Sequence, residues 1–374
     1  MLLMHSCYAK VPFWCALVTS TLLLYTTKLE EQHFEISLDG TLVVTTRTRL
    51  VEADGEHSQE SFVWQRPQGA VHGTVLLLHG CTHFATHFWP SGPQCPECLG
   101  LPEDVQFVGD ILQSGWAALA VSAPRRDGCF WQRDATMISR AVKHFYILHP
   151  DLDSLPMGAI TISQGVFPLT ALAHVVPIQS TSVMVYAFLP LSMPTLYVTM
   201  ERDHIMLPCA KDNARRMRTN GTRAAVTTTT TRSITATSLS ATIDGLPLNA
   251  SRALVAALFS VGMVSSRTGG PLLLSPRQCE QEWMAAVQPV FERFAISGAA
   301  GRLTPPGESA LYEELNAAWA FHEIVYTPLL MRWIRSGGRA SVGATERTGG
   351  AADDDDEASA IACARGRTHW AVDQ

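Results

Sequence analysis

The sequence has little charge of either sign. Charged residues make up 17% of the 374 residues, whereas hydrophobic residues make up 47%. A wholly disordered chain would carry more charge and fewer apolar residues, so this composition is typical of a folded protein. The net charge is −6, and six acids and two arginines between 351 and 374 account for −4 of it. The other 350 residues carry a net charge of only −2, so the chain has no basic excess and we expect no nucleic-acid partner.

The sequence also lacks repeats and a dense set of cysteines. The 26 glycines follow no three-residue period, which excludes a collagen-like chain. Nine cysteines are too few for a small disulfide-rich scaffold, and their odd number leaves at least one thiol unpaired. Cysteine usage alone therefore leaves the redox compartment open.

The amino terminus has no charge between Lys10 and Lys28. Seventeen residues (11–27) rise roughly 26 Å as a helix, slightly less than a hydrocarbon core of about 30 Å. Three interpretations stay open for residues 1–28: an uncleaved signal-anchor, a cleaved signal peptide, or a buried helix. We favour the anchor, since no small-x-small cleavage site follows. The first two predict a protein that is membrane-anchored in the secretory pathway, through this segment, or secreted.

The pattern after residue 33 predicts strands and then alternating strands and helices. The run at 74–78 is continuously apolar, as expected of a strand buried on both faces. The predicted strands are 34–38, 41–49, 61–65, 74–78, 116–122, 157–162, 181–187 and 195–200, and the predicted helices are 102–113, 134–149 and 164–174. This alternation requires crossover connections. We therefore predict an α/β fold with a mainly parallel central sheet, antiparallel amino-terminal strands and flanking helices.

The pattern weakens beyond residue 220. We predict one domain over 33–335, in which 220–302 is a divergent or lid-like region and 308–334 is a long helix. The Gly-, Ala- and Asp-rich segment 336–374 is predicted to be a disordered acidic tail.

Ser163 is the candidate nucleophile. It follows a predicted buried strand and precedes a predicted helix, which is the setting of a nucleophile elbow. The elbow needs small neighbours because the strand and helix backbones approach closely. Gly165 meets that need, whereas Thr161 stands where glycine is usual. The alternative is a Ser-Gln-Gly turn without chemistry.

An oxyanion-binding loop is predicted after the 74–78 strand. His79 and Gly80 form a His-Gly turn there, as in serine hydrolases with this order of elements. The backbone N–H groups near Cys81 and Gln164 would then bind the oxyanion. By itself, His79 could equally be a strand-end histidine packed against loops.

Asp203 and His322 are the candidate acid and base. Asp203 follows the strand at 195–200 and would orient the base, although it could also be a helix-capping residue. The chain order Ser, Asp, His leaves His204, His322 and His369. His204 adjoins the acid and His369 lies in the tail, so His322 is the candidate, with a paired helix histidine as the alternative.

Several short runs resemble a known group of proteins. They are HGCTH at 79–83, FW at 88–89, CPECLGLPE at 95–103, SQG at 163–165, ELN at 314–316 and FHE at 321–323. Over roughly 70–335, these runs resemble uncharacterised α/β-hydrolase-fold proteins of plants and algae. The resemblance implies an α/β-hydrolase fold with Ser163 as nucleophile, Asp203 as acid and His322 as base. Thr161 and Val166 depart from its pattern, in which small residues are usual.

Cys95 and Cys98 allow three interpretations. They could form a short disulfide, with a Cys81 pairing that pins the loop over the site as a variant of this idea. They could be free thiols in a rigid loop. They could also bind zinc, for which His83, His87 or Cys81 would have to supply further ligands.

The favoured hypothesis is a serine hydrolase that acts on an ester or related small-molecule acyl substrate. It requires no cofactor and no metal. Aromatic residues near the predicted entrance favour an uncharged, partly apolar ester, namely Phe84, Phe88, Trp89, Phe130 and Trp131. The alternatives are a non-catalytic hydrolase-fold binding or scaffold protein, which Thr161 and Val166 favour, and a redox or metal protein centred on Cys95 and Cys98.

Overall fold

The computed structural model describes residues 43–51, 57–184, 191–200, 203, 206–229, 231–277, 279–296, 309–319 and 327–341. The predicted signal or anchor segment, the predicted strand at 34–38, His322 and residues 342–374 lie outside these described residues. In the described part, no helix combines the length and apolar character that a membrane span requires.

Eight of the described strands form one sheet. Its strands are β1 Val43–Val51, β2 His57–Gln65, β3 Thr74–Leu78, β4 Ala117–Val121, β5 Met157–Ile162, β6 Ile178–Met184, β7 Thr195–Met200 and β8 Ala224–Thr229. Strands β1 to β7 correspond to predicted strands, whereas β8 was not predicted. Their order in the sheet is β1-β2-β4-β3-β5-β6-β7-β8. Strands β1 and β2 pair antiparallel, and β2 joins β4 antiparallel. All other pairs are parallel. The predicted α/β-hydrolase fold is confirmed.

The described α-helices that connect or follow these strands are α1 Pro102–Gln113, α2 Ala135–Leu148, α3 Leu169–Leu172, α4 Met206–Thr219, α5 Ala236–Thr242, α6 Leu248–Ser260, α7 Glu280–Phe294, α8 Ala310–Ala318 and α9 Thr327–Arg335. The single helix predicted over 308–334 is wrong, because α8 ends before Trp319 and α9 starts anew. Pro328 explains the second start, since proline fits the first turn of a helix but breaks its interior.

Side chains of β3 alternate between two apolar clusters. Leu76 and Leu78 belong to a cluster with residues of α2, α3 and α4. Val75 and Leu77 belong to another cluster with residues of α1 and α9. Because successive side chains of a strand point to opposite faces, the sheet is covered on both sides, as in three-layer α/β proteins.

A third apolar cluster lies within residues 231–319, which we call the helical insert. It contains α5 to α8 and a two-stranded antiparallel sheet, β9 Ser233–Thr235 and β10 Gly269–Pro271. Leu254, Trp283 and Leu311 are fully buried in this cluster. The predicted divergent region, 220–302, therefore belongs to two parts of the fold. Residues 224–229 form β8 of the main sheet, and the insert begins only after β8.

The segment 336–341 was predicted as the start of the disordered tail but is a defined turn after α9. The hydroxyl of Ser336 accepts hydrogen bonds from the N–H groups of Arg339 and Ala340, at 2.9 and 2.8 Å. A Cβ on Gly338 would lie 2.4 Å from Pro194, so this turn packs closely against the loop before β7. The tail prediction is wrong for these six residues.

Candidate active site

Ser163 lies at the sharp turn between β5 and a short 3-10 helix, Ser163–Val166. Its φ is 50°, in the left-handed region that non-glycine residues rarely adopt. Such strain costs of order 1–3 kcal/mol and persists only where the surroundings determine it. This strand-to-helix turn presents the hydroxyl at the carboxyl edge of the sheet, which is the geometry of a nucleophile elbow.

Two glycines let the elbow approach the end of β3. A Cβ on Gly165 would lie 2.3 Å from the carbonyl oxygen of Leu78, and a Cβ on Gly80 would lie 3.2 Å from Cβ of Ser163. Thr161 and Val166, which stand where small residues are usual, are both buried. The turn has the elbow conformation with these two side chains in place, so they do not prevent it.

Two backbone N–H groups are the predicted oxyanion donors. One belongs to Gln164, at the start of the 3-10 helix, and the other to Cys81, in the loop after β3. Neither of these N–H groups has a backbone acceptor among the residues that the structure describes. N–H donors next to a nucleophilic serine can stabilise the negative charge that develops on an attacked carbonyl oxygen.

His79 is a structural histidine. Its Nδ1 donates to the carbonyl oxygen of Gly80 at 2.8 Å, and its Nε2 accepts from the N–H of Ala123 at 3.0 Å. Burial lowers the pKa of His79 to about 3, although the hydrogen bond to Gly80 opposes this shift. The ring is therefore neutral and joins the loop after β3 to the loop after β4.

Two disulfides lie near this edge of the sheet, and Cys209 of α4 is also disulfide-bonded. Cys95 is bonded to Cys98, and Cys81 is bonded to Cys129 in the loop after β4. The Cys95–Cys98 bond leaves no thiolate at either residue for zinc. Within the described residues, no group of three or more His, Cys, Asp or Glu side chains could hold a metal ion.

Asp203 follows β7, which is separated from β5 by β6 alone. Strand spacing places these two strand ends about 10 Å apart, at the same edge. The Asp203 carboxylate is buried, and its Oδ1 accepts a hydrogen bond from the N–H of Met206 at 2.7 Å. The residue therefore caps α4 with one of its two carboxylate oxygens. His322 lies outside the described residues, so its place beside Ser163 stays a prediction.

Three of the five aromatic residues assigned to the entrance belong to the core. Phe88, Trp89 and Phe130 are at most 1% exposed. Trp131 is 42% exposed and packs under the guanidinium of Arg125, 5.5 Å from the ring centre. The sequence pattern did not separate buried from exposed aromatic residues, because both kinds lie in the same loops.

A charged cluster joins the helical insert to the sheet region beside the loop after β3. Arg232 donates to Glu103 at 2.5 Å and to Glu314 at 2.9 Å. Burial raises the pKa of Glu314 to about 8; Arg232 opposes this shift, and the nearby Glu103 adds to it. This cluster was missed by the sequence analysis, since its members are far apart in the chain.

His83 is part of the same junction. Its Nδ1 lies 3.8 Å from Asp104 of α1, and its Nε2 lies 3.7 Å from Glu313 of α8. Although burial opposes the shift, the nearby negative charges of Asp104 and Glu313 raise the pKa of His83. The insert thus meets the candidate site two residues beyond Cys81.

No protein-family model and no curated protein matches the sequence. Among solved structures, the chain is similar to a cold-adapted esterase from an Arctic intertidal metagenomic library, with 14% identity over 52% of this chain and 87% of that one and a TM-score of 0.36. Carboxyl esterase 2 of the mycorrhizal fungus Tuber melanosporum is 13% identical over 52% and 78%, with a TM-score of 0.36. Dienelactone hydrolase of Anabaena variabilis is 14% identical over 51% and 87%, with a TM-score of 0.35.

Proposed function

We propose that the protein is a serine hydrolase that cleaves an ester or a related acyl substrate. The observation that carries this proposal is the left-handed φ of Ser163 at the carboxyl edge of the sheet, next to the N–H groups of Cys81 and Gln164. A strained serine at this place is expected where the hydroxyl reacts, since a structural turn would relax the strain or use glycine.

The proposed reaction gives one role to each of these groups, and the role of base to His322. The Ser163 oxygen attacks the acyl carbon while His322 takes the hydroxyl proton, and Asp203 holds the imidazole. The N–H groups of Cys81 and Gln164 bind the oxyanion. His322 then returns the proton to the departing alcohol, and water releases the acid from the acyl-enzyme. These steps need no cofactor.

The resemblance to the plant and algal group and the location remain proposals. Two disulfides support folding in an oxidising compartment, which agrees with a secreted or membrane-anchored protein in the secretory pathway. Extraction of membranes at alkaline pH tests the anchor, because a spanning segment keeps the protein in the pellet and release into the supernatant contradicts it.

A fluorophosphonate probe tests the reaction on the full-length chain. We expect one covalent adduct per chain, located on Ser163, and hydrolysis of p-nitrophenyl acetate. Ser163→Ala should remove the adduct and lower kcat by about 10³-fold or more. Asp203→Asn and His322→Ala should also lower kcat. Ser139→Ala, at a half-buried position of α2, is the matched control and should retain both activities.

A folded wild-type protein without an adduct on Ser163 would overturn the proposal. It would leave a non-catalytic hydrolase-fold protein that binds its ligand without cleaving it. Circular dichroism and thermal unfolding of the same sample establish that it is folded.

A further inference from the structure

The loop after β3, residues 79–83, is joined to the loop after β4, residues 122–129, at several points. The Cys81–Cys129 disulfide brings the two Cα atoms to 4.2 Å. The N–H of Thr82 donates to the carbonyl oxygen of Asp127 at 2.8 Å. With the His79–Ala123 hydrogen bond described above, three groups of the first loop are held by the second.

The close approach of these loops depends on a glycine. A Cβ on Gly128 would lie 2.6 Å from the carbonyl oxygen of His83 and 3.0 Å from the nitrogen of Thr82. Gly128 has a φ of 66° and Thr82 a φ of 64°, so both loops turn through the left-handed region where they meet. For Thr82, this conformation persists only because its surroundings hold it.

The covalent link lies at the residue that would bind the oxyanion. Cys81 belongs to neither a helix nor a strand, so regular backbone hydrogen bonds do not fix the direction of its N–H. An oxyanion donor is effective only when it is held within a few tenths of an ångström of its required position.

We propose that the Cys81–Cys129 disulfide positions the Cys81 N–H for oxyanion binding, so that reduction of this bond slows acylation of Ser163 without weakening substrate binding. This inference rests on the proposed hydrolase function. Cys81 and Cys129 act here as positioning residues, since their side chains do not touch the reacting atoms.

The exposure of the two disulfides favours a selective reaction. Cys81 and Cys129 are half-buried, whereas Cys95 and Cys98 are 2% and 4% exposed. A dithiol can therefore reach the first bond more easily. In the reaction, the two thiols of the dithiol form a disulfide and lose two electrons and two protons. Cys81 and Cys129 each gain one electron and one proton and become thiols.

The decisive experiment compares two double variants of the full-length protein. In Cys81→Ser with Cys129→Ser, kcat for p-nitrophenyl acetate should fall about 10-fold, with KM nearly unchanged. This is less than the roughly 10²- to 10³-fold loss on deleting an oxyanion donor, because the contacts of Thr82 and His79 remain. Cys95→Ser with Cys98→Ser is the matched control and should keep the wild-type kcat.

Treatment of that control variant with dithiothreitol avoids any folding defect of the first one. Because Cys209 is also disulfide-bonded, the Cys81→Ser with Cys129→Ser variant is treated in the same way to show what reduction elsewhere contributes. We expect kcat to fall and to return on reoxidation, and amide hydrogen exchange of residues 79–84 to rise and fall in parallel. Unchanged kcat after complete reduction of Cys81–Cys129, or a change in KM alone, would overturn the inference.

The same experiment separates the two proposals. A wild-type protein that reacts at Ser163 and is insensitive to loss of the Cys81–Cys129 bond rejects only the positioning role. A folded wild-type protein that does not react at Ser163 rejects the hydrolase function, and the positioning role with it.

Discussion

The edge of the sheet that carries Ser163 and the junction with the helical insert are held together by different forces. At the sheet edge, the neutral ring of His79 and the Cys81–Cys129 bond connect neighbouring loops. At the junction, Arg232 lies between the carboxyl groups of Glu103 and Glu314. Neutral hydrogen bonds and covalent bonds keep their strength over the ordinary pH range. The strength of a contact between buried ionisable groups, in contrast, depends on which of them is protonated. The site is thus built rigidly, and the insert is attached by contacts that respond to pH.

The glycines of the two regions differ in a corresponding way. At the sheet edge, a Cβ on Gly165 would collide with backbone atoms of β3. In the insert, Gly245 has a φ of 74°, but a Cβ placed on it would meet no atom within 4 Å. Gly165 is therefore required by close backbone packing, whereas Gly245 is required only by its left-handed backbone conformation.

The largest expected effect separates these two glycines. Gly165→Ala should lower the free energy of unfolding by about 3 kcal/mol or more and abolish labelling of Ser163, because backbone atoms cannot move aside cheaply. Gly245→Ala should cost only about 1 kcal/mol, the strain of alanine in the left-handed region. Urea unfolding of both variants measures this difference, and equal losses would contradict the comparison.

A smaller effect concerns pH at the junction. The folded protein holds a proton on Glu314 up to about pH 8, whereas the unfolded chain loses it near the ordinary glutamate pKa of 4.5. Stability falls with rising pH wherever the folded state binds more protons, so Glu314 lowers the free energy of unfolding between these two values. Glu314→Gln should remove this contribution, so the stability of the variant relative to the wild type should rise from about pH 4.5 to about pH 8.

His79 should contribute a pH dependence of opposite sign. Its pKa is about 3 in the folded protein and near the ordinary histidine value of 6.5 in the unfolded chain, so the unfolded chain binds more protons between these values. Stability due to His79 therefore rises with pH in that window and is lost as the pH falls.

Urea midpoints over a pH series measure the effects of both Glu314 and His79. Glu292→Gln, on the exposed face of α7, is the control for Glu314, and an identical change of slope in both variants would refute the assignment.

The smallest effect is expected at an exposed ion pair of the sheet region. Arg66 donates to both carboxylate oxygens of Asp151, at 3.2 and 2.7 Å. Asp151→Asn should lower the free energy of unfolding by less than about 1 kcal/mol, since water screens this pair. If Asp151→Asn lowered the free energy of unfolding as much as Arg232→Gln does at the junction, burial would not explain a difference between the two ion-pair sites. Thermal unfolding at low and high salt makes the measurement.

Much of the sheet region could be predicted from sequence because its signals are local. Continuous apolar runs indicated β3 and β5, and a serine followed by glycine two residues later indicated the turn at Ser163. The long helix predicted over 308–334 failed because helical periodicity continued across a break that Pro328 marks. The exposure of Trp131 and the burial of Phe130 were not separable, since neighbours in one loop share the same local pattern.

The sequence by itself determined the order of strands and helices, the elbow turn and the candidates for the chemistry, because periodicity, glycine positions and apolar runs act over a few residues. Only the tertiary structure decided that Cys81 pairs with Cys129, that His79 is a neutral link between loops, and that Arg232 bridges the sheet region and the insert. These contacts join residues 44 to 129 positions apart. Their partners are chosen by the packing of the sheet and its helices, which no local pattern records.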